Sequence, residues 1–574
     1  MRPLRKYTIL PALVLLASCG SNDRYGARQA EGGKRYGGVF NANETEQIRS
    51  IFPLSLSQAS AHRIAAQIYQ GLVRLDPGDL SIRPCLAASW EVDPNATTFT
   101  FHLRKDVLFH ADPVFKSEDE RVVDADAVIY CLTRICTASP DNQMFWLFQD
   151  QVEGANAYYK ATAQGEVPKQ GVTGFEAIDP FTVRIHLLHA APDLLEALAH
   201  QGCWIYPRQL VETYGQDLMH HAIGTGPFRL KVFAPGEAFV LERDPDHWDR
   251  DEFGNRLPFL DAIRYTLEPD KNKELDNFLK GKITCVFEIP IDRTSVLADS
   301  LDPVTGQQRY LVRSVPALSV QFYGFNANRR PFDDVRVRRA FAMAIDKKVL
   351  VDSVLKHLAV AADHGLVAPG LVGYPYEEVP GIPFDPDSAR LLIRQAGYGP
   401  DRPLPPVLLQ VNNDGYGYVR VAEAVQAMLE GILGVAIGVS VLPADQHFDR
   451  IETGRADLWR EGWLADHPDP ANFLALLYGK NAVLDTNERT FLNTTRYHNM
   501  RFDSLFVSAQ RTVDRSERMR SLAGAEAVAM QDVPLVPLYH ERSIRLMQPY
   551  VRDLPMNAME YRDLGRVWFD REGR

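Results

Sequence analysis

The chain has 574 residues, 45% hydrophobic and 24% charged, the composition of a water-soluble globular protein too long for a single hydrophobic core, so two or three domains are expected. The formal charge is -11, and setting aside the three cations Arg2, Arg5 and Lys6 at the start makes it -14. With no basic stripe to offset it, that balance excludes a nucleic-acid partner.

Residues 1–19 read as a targeting segment, with a basic start and an apolar run over 9–17 too short to span a bilayer. The stretch Leu16-Ala17-Ser18-Cys19-Gly20 resembles a bacterial lipobox, which implies acylation of Cys19 and a membrane tether of lipid alone. Residues 20–38 are polar and Gly-rich, as in a flexible tether. Five further cysteines, Cys85, Cys131, Cys136, Cys203 and Cys285, form an odd set and no disulfide framework. Buried free thiols are expected, with room for one pair.

A first strand is expected over 38–43, then an amphipathic helix over 61–72 with Ile64, Ile68 and Leu72 one turn apart. Residues 97–104 alternate, with Phe99, Phe101 and Leu103 on one face, as in a half-exposed antiparallel strand. Asp124 is placed to cap a helix, and Phe145, Trp146 and Phe148 make an aromatic patch whose ordinary role is core packing. Residues 224–241 have the form of a hairpin with Pro235-Gly236 at the bend.

From residue 320 strand and helix alternate: strands over 321–326, 407–411 and 436–441, helices from 337 and over 419–433. This implies a second α/β unit with a substantial parallel component. Asp514 to Glu517 has capping-box spacing for a helix running to about residue 531, and Pro534 and Pro537 then force an extended segment over 536–539, placed to return to the first domain.

Between these lies ADLWREGWLADHPDPANFLALLYG, residues 456–479, a buried strand over 457–463, a loop over 464–469 and a helical run over 471–478. Asp469 followed by Pro470 is an N-cap with proline at the first helical position, and Gly479 is expected as a left-handed C-cap. Asp466 has no such local explanation. It stands just past a strand's carboxyl end, where open α/β sheets place ligand crevices, and a carboxylate there is suited to a ligand cation. The competing roles are a turn cap or an ion pair with a nearby arginine. The histidine pairs His186/His189 and His220/His221 lack a third ligand, so no metal is expected; GxSxG, HExxH and Walker patterns are absent, which lowers an enzymatic reading.

Six segments in order, IYQGLVRLDPGDLSIRPCLAASWEV, FTFHLRKDVLFH, GTGPFRL, FNANRRPFDDVRVRRAFAMAIDK, GWLADHPDP and DVPLVPLY, resemble the extracytoplasmic solute-binding proteins of ATP-driven transporters. The likeness is to family 5, the oligopeptide, dipeptide and nickel-binding group, over nearly the whole mature chain. It implies an α/β, two-lobed periplasmic-binding-protein-like fold of the large class II type, with a subdomain inserted in the first lobe. The implied bounds are lobe 1 over 39–71 and 205–315, its insertion over 72–204, lobe 2 over 316–538 and a return to lobe 1 over 539–574. It also implies a monomeric, non-enzymatic, cofactor-free periplasmic protein that captures peptides and hands them to membrane permease subunits.

By the same resemblance Asp466, three residues after Trp463, pairs with a peptide ammonium. Arg460, Gly462 and Trp463 fall at other contact positions, as do Ser57, Gln58, Ala59, Ser60, Phe145 or Trp146, Tyr323, and Tyr539 or His540. Two departures stand out: a longer loop, ADPVFKSEDERVV, after Phe109-His110, and His247 where an aromatic residue is customary before Trp248. The rival ligands are nickel chelate, haem or oligosaccharide, and the rivals of another class are a periplasmic hydrolase or chaperone.

Overall fold

The protein is described here by a computed structural model covering residues 28–45, 48, 50–56, 58–140, 142–234, 238–301, 306–412, 417–483 and 489–570. The targeting segment, Cys19 and Ser57 lie outside the described residues.

The tether expected over 20–38 is not free along its second half. Arg28–Gln29 pairs antiparallel with Arg35–Tyr36, and Lys34 Nζ lies 2.9 Å from Glu252 and 3.4 Å from both Asp251 and Asp553. Three carboxylates around one ammonium fix this segment to the body of the protein, a contact no local composition signals.

The first body holds two four-stranded sheets. One contains β1 (Val39–Glu44), and the other is an inserted antiparallel sheet of β2 (Ala87–Val92), β3 (Thr98–Leu103), β4 (Phe175–Asp179) and β5 (Thr182–His186), in the order β2-β3-β5-β4. In β3 the expected alternation holds, with Phe99, Phe101 and Leu103 buried. Then β6 (Phe228–Ala234), β7 (Ala238–Arg243) and β8 (Ala262–Leu267) complete the first sheet, β8 pairing parallel with β1. One continuous apolar core, including Phe40, Phe101, Phe148 and Phe239, lies under both sheets.

The second body is built on one eight-stranded sheet: β9 (Cys285–Val286), β10 (Leu311–Pro316), β11 (Ser319–Phe325), β12 (Ala359–Ala361), β13 (Val407–Asn412), β14 (Ile437–Leu442), β15 (Leu458–Leu464) and β16 (Leu535–Met547). Every residue of β11 is buried. Val320 and Phe322 face one apolar cluster while Tyr323 and Phe325 face another, so helices cover the sheet on both sides. The parallel β13–β14 pair is joined by a helix, Tyr418–Leu433, as the strand-helix alternation requires.

Local signals fixed many boundaries. Asp124 accepts from Ala127 N, Asp469 from Ala471 N and Asp514 from Glu517 N, each at the start of its helix. Two expectations change. The helix expected over 61–72 is α1 (Ala59–Ala65) and stops early, the chain turning so that the Ile68 carbonyl accepts from Gly226 N. Gly479 is not a left-handed cap: the helical run after Asp469 breaks into short turns, and a Cβ at Gly479 would come within 2.4 Å of Asp503 Oδ2. The segment expected to return to lobe 1 from residue 539 runs as β16 to Met547 and pairs over its second half with β10 and β9, which come from the stretch just before residue 316. The five described cysteines are all buried free thiols.

Candidate functional site: a two-compartment cleft between the bodies

The turn after β15 carries residues 464–468 across to face the first body. Together they bound a cavity of about 410 Å3, lined from the first body by α1 and by the segment of Glu196, His200 and Trp204, and from the second by Leu464 to Pro468. A second cavity of about 480 Å3 adjoins it, between Glu44, Arg63 and Lys271 on one side and Tyr539, Glu541 and Ser543 of β16 on the other. Ala59, His62, Leu464 and Met559 line both, so they form a waist in one elongated cleft.

Asp466 is exposed to the first compartment and its carboxylate carries no ion pair among the described residues. It is held by Asn472, whose Nδ2 donates to Asp466 Oδ2 at 3.2 Å and whose Oδ1 accepts from the Asp466 backbone N–H at 3.3 Å. Trp463 Nε1 donates to the same Oδ1 at 2.7 Å. Trp463 therefore lies behind the wall and sets the orientation of the residue that holds Asp466. The nearby cation is spent elsewhere: Arg518 binds both oxygens of Asp469, with Nη2 3.0 Å from Oδ1.

Around Asp466 the walls are aromatic and polar, with Glu196, Asp249, Asp563 and Arg74 as the other acidic and basic groups besides the histidines. The Trp204 ring lies between His62, at 5.3 Å and 25°, and Tyr69, at 6.2 Å and 13°. Burial pushes His62 down to about 4 and His200 and His247 down to about 3, so all three are neutral imidazoles near neutral pH. Burial pushes Glu196 up to about 7, helped by the facing Asp469. Burial opposes ionisation of Asp249, and Arg74, 2.9 Å away, more than reverses it.

In the second compartment most charges are matched. Arg63 Nε lies 3.0 Å from Glu44, Arg562 lies 3.1 Å from Glu44 and 3.3 Å from Glu560, and Lys271 lies 3.1 Å from Glu274 and 3.2 Å from Glu288. Counted over the lining, the first compartment has four carboxylates and one guanidinium, and the second five carboxylates and four cations. The cleft is acidic throughout.

The other expected contact residues divide. Gln58 and Ala59 line the first compartment and Tyr539 the second. Trp146, half exposed, sets its ring edge-on to His200 at 5.3 Å and so borders the cleft. Arg460 and Gly462 lie one layer back. The Arg460 guanidinium bonds Asn412 Oδ1 at 3.1 Å and Gln321 Oε1 and lies 3.4 Å over the Tyr418 ring, while the bare Cα of Gly462 leaves space for the Gln321 side chain. Tyr323 is fully buried behind Arg460, Ser60 is buried, and Phe145, half-buried against the first core, stacks on Tyr159 at 3.9 Å.

His540 is a correction. It alternates with Tyr539 along β16, so its ring turns to the opposite face, where Nδ1 meets the Ser319 carbonyl at 2.8 Å. The lining residues missed from sequence, His62, Glu196, His200, Trp204 and Glu541, have no motif of their own. His247 had one signal, its replacement of a customary aromatic residue.

Two bodies joined by long strands and bounding a lined, open-ended cleft define a clamp that binds a solute, with no need of chemistry on it. The chain belongs to the family described as bacterial extracellular solute-binding proteins, family 5 Middle, which matches residues 81–485. That family is non-enzymatic and extracytoplasmic. Among similar proteins, the di/tripeptide-binding protein 2 of Pseudomonas aeruginosa (strain UCBPP-PA14) is 28% identical over 517 residues, covering 89% of this chain and 90% of its own. The heme-binding protein A of Haemophilus influenzae is 25% identical over 570 residues, covering 96% and 97%. Two solved structures share the fold. The unliganded open form of MppA, a periplasmic murein tripeptide binding protein, has a TM-score of 0.75 at 22% identity, covering 95% of this chain and 98% of its own. HbpA2 from Haemophilus parasuis has a TM-score of 0.78 at 21% identity, covering 93% and 100%.

Proposed function

We propose that this protein is the substrate-capturing component of an ABC importer, holding short peptides in the cleft between its two bodies and delivering them to membrane permease subunits. The observation that carries the peptide reading is Asp466: a carboxylate presented to the cleft, held in place by an amide and given no cation of its own. A peptide ammonium supplies that cation. The backbone of an extended peptide is satisfied by hydrogen bonds without reference to its sequence, while roomy compartments take varied side chains and water. Micromolar affinity needs only about 8 kcal/mol, so an ion pair whose loss costs about 2–5 kcal/mol sets the register of the ligand.

The related proteins named for di/tripeptides support the same reading. Heme and glutathione, named for other relatives, carry carboxylates of their own, and the acidic lining of this cleft disfavours them. The two bodies act as lobes closing on a hinge, the first with its insertion over 72–204, and ligand contact with both favours the closed form. Acylation of Cys19 tethers the protein to a bacterial membrane; intact-mass analysis of the mature protein tests this.

Calorimetry with a free-amine and an N-acetylated tripeptide, on wild type and Asp466→Ala, tests the central claim. Only the pairing of wild type with the free amine binds tightly. Equal affinity in all four pairings overturns the assignment.

A further inference from the structure

Glu541 is a carboxylate of the second compartment that makes no ion pair among the described residues. It stands on the cleft-facing side of β16 with Tyr539 and Ser543, all three lining the second compartment. Among the described residues no salt bridge reaches it. Its carboxylate is bonded by neutral side chains, Gln321 Nε2 at 3.2 Å and Ser319.

Most of the cations around it are committed. Arg460 is the charge nearest in kind, yet the Gln321 amide stands between them, its Oε1 accepting from Arg460 while its Nε2 donates to Glu541. The Arg460 guanidinium is further spent on Asn412 and on the Tyr418 ring. Arg542, next in sequence, also lines the compartment and pairs with no carboxylate among the described residues, its Nε donating to the Ala359 carbonyl at 3.4 Å. Across the compartment, Lys271 is shared between Glu274 and Glu288, and Arg63 and Arg562 are shared by Glu44 and Glu560. Burial raises Glu541, Arg460 offsets part of that rise through the intervening amide, and Glu288, lining the same compartment, adds to it. A carboxylate kept at a disadvantage in an otherwise balanced compartment gains most from a cation brought by the ligand.

We propose that Glu541, with Glu288 facing it, receives a second positive charge from the ligand. The substrate class is then peptides with a free amino terminus and a lysine or arginine side chain that passes the waist at Leu464. This rests on the peptide reading above. It adds a charge requirement at the other end of the cleft, reached through the waist of Ala59, His62, Leu464 and Met559. The peptide amine sits at Asp466 in the first compartment and the basic side chain at Glu541 in the second. Neutral peptides keep the first contact and lose the second.

The test is calorimetry with Ala-Lys-Ala and Ala-Ala-Lys, each against its norleucine counterpart, which has the same length and no charge. Wild type binds at least one lysine peptide about tenfold more tightly than its counterpart, in keeping with a partly desolvated ion pair. Glu541→Gln, which keeps the shape and the bond to Gln321, brings the two within about twofold. Glu288→Gln, at a side chain 63% exposed and so harmless to folding, reduces the preference in part. Equal affinity of wild type for both members of each pair overturns the inference and leaves the peptide reading standing, as does a preference that survives in both variants. Failure of wild type to bind any of the four peptides overturns both.

Discussion

Arg518 and Asp469 form a buried, two-bonded ion pair directly beneath the loop that presents Asp466, each with under a tenth of its side chain exposed. Burial alone pushes Asp469 up, and Arg518 more than reverses it, holding the carboxylate below its ordinary value. Asp469 is also the cap of the following helix, so one residue anchors helix, loop and ion pair together. The consequence lies three residues away: with Arg518 committed to Asp469, Asp466 is left without an ion-pair partner among the described residues.

Arg518→Met tests that anchor. Removing one partner leaves a buried carboxylate uncompensated, a change that costs about 3–5 kcal/mol. The expected outcome is a melting temperature several degrees lower. At a temperature where the variant is still folded, free-amine peptide binding is weaker as well, since the Asp466 loop loses its support.

Gly462→Ala probes the layer behind the cleft. An added Cβ would come within 2.4 Å of Gln321 Oε1, the atom that accepts from Arg460. The amide has to move and Arg460 loses an acceptor, an overpacking of about 1–3 kcal/mol. Thermal melts show the loss. Unchanged stability would mean that Gln321 relocates freely and that the Gln321–Arg460 arrangement is not fixed.

Leu464→Gly widens the waist. Leu464 is 61% exposed and lines both compartments, so its removal touches little of the core. Stability is expected to fall by no more than about 1 kcal/mol, as for strand glycines generally. Competition binding shows the ranking of ligands shifting toward peptides with bulky middle residues.

The pH dependence of stability follows from buried groups. Burial brings His62 and His540 down to about 4 and His200 and His247 down to about 3, against an ordinary 6.5. Above pH 6.5 these are neutral whether folded or not. As pH falls below 6.5 the unfolded chain takes up protons that the folded chain refuses until 4 or lower, so stability drops through that window. Burial raises Glu196 and Glu461 from 4.5 to about 7, with the opposite sign: the stability they contribute is present below 4.5 and lost as pH rises through 7.

Four histidines outweigh two carboxylates, so the melting temperature is lower at pH 5 than at pH 7.5. Glu461→Gln isolates the opposing part. Its Oε2 accepts from Trp459 Nε1 at 3.0 Å and Thr494 Oγ1 at 2.7 Å, both of which an amide oxygen also accepts. The variant is more stable than wild type at pH 8 and gains nothing at pH 4.5. A gain equal at both pH values would refute the assigned ionisation.

Much of the framework is legible in local pattern because its causes are local. An aspartate at a helix start bonds an amide two or three residues on, whatever the rest of the chain does, and Asp124, Asp469 and Asp514 each do so. Alternation in β3 and the unbroken apolar run of β11 report how many faces of each strand are covered. The ordered motifs placed the family, and the position of Asp466 after a strand end marked the cleft side of the second body.

The tertiary structure alone decided what Asp466 faces. His62, Trp204 and Glu541 reach the cleft from segments hundreds of residues apart, through sheet register and inter-body packing that leave no periodic trace. The same holds for Gly479, kept bare by Asp503, and for β16, extended to Met547 by the partners it finds in β10 and β9. Sequence specifies each strand's faces and each helix's cap because those depend on neighbours along the chain. Which charge remains unmatched depends on neighbours across it.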